Sequence, residues 1–135
     1  MTSVNAVRAL AAALSLATLA LGAPAARADI KDYEFRLTQN ELKQGNGVIV
    51  TVQIIDKRSG KPVPDAVIIA KRIDMEPDGM ATMTAPLEAM PSTDPGTYRF
   101  KTNLTMAGSW RLSLGAKIQG ETGTLENKLI LKAVP

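Results

Sequence analysis

The chain has 135 residues, room for one domain, and contains neither cysteine nor histidine. Its 16 Lys and Arg against 13 Asp and Glu give a net charge of +3; because Arg8 and Arg27 precede Asp29, residues 29–135 carry 14 against 13, a net of +1. That balance of mixed signs argues against a nucleic-acid or anionic-membrane partner, and the missing residue types remove disulfides, the usual general base and the strongest side-chain nucleophile.

Residues 1–28 read as a secretory signal. A short start with Arg8 leads into an apolar Ala/Leu run from Ala9 to Leu21, followed by the small-residue site Ala26-Arg27-Ala28. The apolar run, about 13 residues, is shorter than the roughly 20 that a helix needs to span a bilayer. The expectation is cleavage near Ala28 and a periplasmic domain, residues 29–135, with no direct membrane insertion.

From Ile30 to Gln39, Tyr33, Phe35 and Leu37 alternate with Asp32, Glu34 and Arg36, the period of a half-buried strand. Gly45-Asn46-Gly47 reads as a turn into the β-branched run Val48 to Asp56. Gly60, Pro62 and Pro64 place a second turn between strands, and Val67 to Ile73 form the third strand. Glu76-Pro77-Asp78-Gly79 has the composition of a tight β-turn. Pro86 and Pro91 restrict Thr82 to Met90 to an edge strand or a loop.

After the turn Thr93-Asp94-Pro95-Gly96, Tyr98, Phe100 and Leu104 mark another strand, interrupted at Met106-Ala107-Gly108. Trp110, Leu112 and Leu114 then alternate with Arg111 and Ser113, and Thr124 to Val134 close the chain with Leu129 and Leu131 on one face. About seven short strands with turn chemistry between them predict an all-β fold, an antiparallel immunoglobulin-like β-sandwich.

No catalytic set assembles. There is no G-x-S-x-G, no metal-binding H-E-x-x-H and no phosphate-cradling glycine loop, so the expectation is that the protein is not an enzyme. Asp74 and Asp78 form a carboxylate pair of the kind that does acid/base work in glycosidases, but aspartates beside a turn ordinarily hydrogen-bond the backbone. The methionines are more informative. Met75, Met80, Met83 and Met90 fall within 16 positions around the Pro-Asp-Gly turn, and Met80 and Met83 form an M-x-x-M pair. Thioethers are soft, uncharged donors that favour Cu(I), although methionine also serves as a flexible filler of cores. On an unbroken strand Met80 and Met83 point to opposite faces; a turn at Pro77 to Gly79 lets them converge. Trp110 reads as the core tryptophan, with a cation–π contact to a cuprous ion as the functional alternative.

The succession G-K-P-V-P-D-A (Gly60–Ala66), M-x-P-D-G-M (Met75–Met80), D-P-G-T-Y-R-F (Asp94–Phe100) and L-T-M-A-G-S-W-R-L (Leu104–Leu112) resembles the FixH and YtkA-like proteins. The likeness runs from about Val48 to Leu114. It implies a small immunoglobulin-like sandwich outside the bacterial cytoplasmic membrane, linked to copper supply for oxidases or to heavy-metal efflux. Relatives often carry M-G-H or M-P-G-M after the third strand, where this chain has Asp78-Gly79-Met80 and no histidine. The resemblance therefore implies a methionine-only Cu(I) or Ag(I) site. Met80, Met83 and Met106 match the family's methionine positions, and Met75 and Met90 join them by proximity. The expected partners are membrane efflux or oxidase assembly proteins, and the alternative is a metal-independent interaction module docking on such an assembly.

Overall fold

The structure, a computed structural model, describes residues 29–135; the expected signal segment, 1–28, lies outside them. The described residues form ten strands: β1 (Tyr33–Leu37), β2 (Glu41–Lys43), β3 (Gly45–Asp56), β4 (Lys61–Pro62), β5 (Val67–Met75), β6 (Met80–Ala85), β7 (Leu87–Met90), β8 (Thr97–Leu104), β9 (Gly108–Lys117) and β10 (Leu125–Val134). One sheet runs β1-β3-β8-β7 with β4 paired to β3, and the other runs β2-β10-β9-β5-β6. The all-β, immunoglobulin-like sandwich is thus as expected. Pairings are antiparallel except that of β2 with β10, which is parallel.

The excess over seven strands has two sources. β2 and β4 have 3 and 2 residues, too short for any periodicity to register. The Thr82–Met90 region divides at Pro86: β6 forms the edge of one sheet and β7 the edge of the other. Proline cannot donate to a ladder, so the break and the change of sheet fall where pairing would fail anyway. Gly45-Asn46-Gly47 differs from expectation as well. It belongs to β3 and meets β8 through a register shift between Gly45 and Val48, not through a free turn.

The alternating apolar residues supply the core. Phe35, Val50, Val52, Ile54 and Phe100 from the first sheet pack against Ile73, Trp110, Leu112, Leu114 and Leu131 from the second, each at most 3% exposed. The lower corner is held by Tyr98, whose hydroxyl donates to the Val63 carbonyl at 2.8 Å and accepts from the Ala66 amide at 3.0 Å. Those bonds satisfy backbone groups in the proline-rich connection, where Asp65 adopts a left-handed φ of 66°.

Candidate metal site

Met75 ends β5, and Glu76–Asp78 form a single 3-10 turn with proline in its first positions. Asp74 Oδ1 accepts from the Glu76 amide at 2.9 Å, and Gly79 closes the turn with φ 78°, donating its amide to the Glu76 carbonyl at 2.7 Å. Met80 then opens β6 directly opposite Met75. A few residues of Pro-Asp-Gly chemistry therefore set two methionines side by side across a hairpin.

The next step along the ladder departs from regular pairing. Asp74 pairs with Thr84 while Met75 pairs with Met80, so one step on β5 faces four on β6. The bulge changes the facing of the strand. Met80 and Met83, three apart, are both half-buried against the core, although an unbroken strand would have put them on opposite faces.

The turn between β8 and β9 meets the β5–β6 turn at this end of the sandwich. Asp78 Oδ2 accepts from the Ser109 amide at 2.9 Å. Trp110, fully buried, donates its Nε1 hydrogen to the Met106 carbonyl at 3.0 Å and so holds the Met106 turn from below. Gly108 makes the approach feasible: a Cβ there would strike Asp78 Oδ2 and lie 2.8 Å from Met75 Cε. Trp110 thus acts as a core residue whose polar edge is satisfied.

The five candidate methionines do not share one environment. Met75 is fully buried, Met80 and Met83 are half-buried, and Met106 is 41% exposed. Met90 ends β7 in the opposite sheet, paired with Arg99, and lines a separate pocket of about 230 Å³ with Ser92, Tyr98 and Phe100. The turns therefore bring together the segments bearing Met75, Met80 and Met106; Met83 lies beyond the bulge, and Met90 belongs elsewhere. In chemistry the first three fit a soft monovalent cation: uncharged donors, one dry and one accessible. Among the described residues no cluster of three Asp or Glu offers a site to a hard cation.

Sequence reasoning missed the charged cluster beside this end. Asp74, fully buried, accepts from Arg72 Nε at 2.8 Å and Arg111 Nη2 at 3.1 Å, and Arg111 Nη1 lies 3.6 Å from Glu76 Oε2. Burial pushes the Asp74 carboxyl up, but the Glu76 amide and both guanidiniums outweigh it and hold the carboxyl below its ordinary value. Arg72 also donates to the Ala81 carbonyl at 2.8 Å, clamping the bulged strand. The local signal was Arg72-x-Asp74, a same-face pair on a strand; the Arg111 partner comes from β9 and has no local trace. Both aspartates of the suspected carboxylate pair are engaged with backbone amides, Asp74 with two arginines as well.

A family model described as YtkA-like matches residues 27–115, 89 of the 135 positions. No curated protein matches the chain. Among solved structures it is similar to the Lin-41 filamin domain, at 18% identity over 70% of this chain and 90% of that one, with a TM-score of 0.42. It is also similar to the ZirS C-terminal domain, at 12% identity over 93% of this chain and 88% of that one, with a TM-score of 0.46. Neither likeness carries a functional argument. With the sandwich described above and the family match over well more than half of its length, the chain belongs to the YtkA-like family.

Proposed function

We propose that this protein is an exported, periplasmic copper-handling protein that holds Cu(I), as cargo, with the thioethers of Met75, Met80 and Met106. The observation that carries the reading is the Asp78–Ser109 hydrogen bond, which keeps the Met106 turn against the hairpin of Met75 and Met80. Thioethers need no deprotonation to bind, so such a site would keep its donors at acidic pH, where imidazole or thiolate ligands would be protonated. Exposed Met106 would be the donor that meets an incoming ion, and buried Met75 would supply the dry side. In this reading the protein serves a membrane efflux or oxidase assembly.

The test is titration of the purified protein with Cu(I) against a competing chelator. Binding tighter than about micromolar is expected, weakened about tenfold or more by Met80→Ala or Met106→Ala and unchanged by Met90→Ala. No binding in that range, or binding indifferent to Met80→Ala and Met106→Ala, would remove the proposal.

A further inference from the structure

The charges of residues 29–135 nearly cancel, but they are not evenly spread. On the β2-β10-β9-β5-β6 sheet, rows containing Ile73, Leu112 and Leu129 or Ile68, Ala116 and Leu125 face the core, so the rows between them face outward. These outward rows are Asp74–Arg111–Ile130, in which Asp74 is covered by Arg72 and Arg111, then Arg72–Ser113–Lys128, Ala70–Gly115–Glu126 and Val67–Lys117. Where Ala70, Ser113 and Gly115 meet, the small residues leave a groove of about 590 Å³.

Two cations of the outward rows line the groove, Arg72 and Lys128, against one carboxylate, Glu126; Lys71, at its margin, belongs to the core-facing row of Leu114. Arg72 is held in place by Asp74 and the Ala81 carbonyl, so its charge is oriented before any ligand arrives. Apolar side chains mark the two ends: Ile130 is 51% exposed and Val67 60%. Among the described residues the large exposed apolar side chains are these two, Ile69 and Met106, and three of the four sit on β5 and β10. Scattered singly they would mean nothing; gathered on two strands beside a groove with more cations than carboxylates they mark a docking face. Arg111 to Lys117 spans six residue steps of β9, about 20 Å, the length of about six residues of extended chain.

We infer that this face binds an extended acidic protein segment, its carboxylates at Arg72 and Lys128 and its apolar residues on Ile130 and Val67. Charge complementarity sets the orientation, and the small-residue floor admits a backbone close to the sheet. The inference is independent of metal: the groove uses none of the methionines.

The test is NMR titration of the purified, isotope-labelled protein with a short synthetic peptide in which glutamates alternate with serines between terminal leucines. Saturable shifts at Ala70, Arg72, Ser113, Gly115, Lys128 and Ile130 are expected. Lys128→Glu should weaken binding about tenfold, while Lys101→Glu, the same charge change on the opposite sheet, should leave it within about twofold. Thermal melting of both variants reports that they fold. The inference is overturned by an absence of saturable binding, by an equal response to the lysine version of the peptide, by equal loss from both charge reversals, or by binding of anionic phospholipid vesicles while the peptide is silent.

Discussion

Replacing Gly108 with alanine isolates the contact on which the candidate metal site depends. At φ 142° the backbone lies in a region that a side chain strains, and the new Cβ would strike Asp78 Oδ2 and crowd Met75 Cε at 2.8 Å. Met75 is fully buried and cannot retreat, so Asp78 must swing away and release the Ser109 amide. Backbone strain of about 1–3 kcal/mol and a lost hydrogen bond of about 1 kcal/mol predict a cost of about 2–4 kcal/mol. Gly79→Ala provides the control in the neighbouring turn: φ is 78° there, yet nothing lies within 4 Å of the new methyl group, so only the left-handed backbone is penalised, by about 1 kcal/mol. Urea unfolding of both variants measures the difference. Gly108→Ala should be the more destabilised by at least about 1 kcal/mol and should bind Cu(I) more weakly, with Gly79→Ala close to the parent in affinity. Equal stability losses would mean that the two turns do not pack as described.

Tyr98→Phe should cost about 1–3 kcal/mol in the same assay, because the Val63 carbonyl and Ala66 amide each lose a partner. Burial raises the Tyr98 hydroxyl above its usual 10.0, so its contribution is complete below that pH and is lost as pH rises through the folded value. Stability of the parent should accordingly fall more steeply above about pH 10 than that of Tyr98→Phe. Asp74→Asn strands two arginines, one of them half-exposed, and should cost about 2 kcal/mol by urea unfolding at neutral pH. Because the folded carboxyl titrates below 3.8, the parent keeps this contribution above that pH and loses it as pH falls through the folded value; the variant's acid limb should be correspondingly shallower. A neutral-pH stability unchanged by Asp74→Asn would refute the assigned role of the cluster.

What the sequence determined by itself is local. Alternation of Tyr33, Phe35 and Leu37 with charged neighbours, and of Trp110, Leu112 and Leu114 with Arg111 and Ser113, specifies strands because one period of two can bury only one face. The prolines likewise made the Thr82–Met90 region an edge, and the turn residues delimited the rest. The strands β2 and β4 carried too few residues to leave a pattern. Tertiary structure alone decided which turn meets which. Met106 lies 26 positions from Met80, and only the pairing of β5 with β9 brings their turns together. The bulge that turns both Met80 and Met83 toward the core, the sheet change at Pro86 and the Arg111–Asp74 pair are similarly non-local. A net charge of +1 describes composition; the placing of Arg72 and Lys128 on either side of Ser113 is a property of strand order, which no count of residues contains.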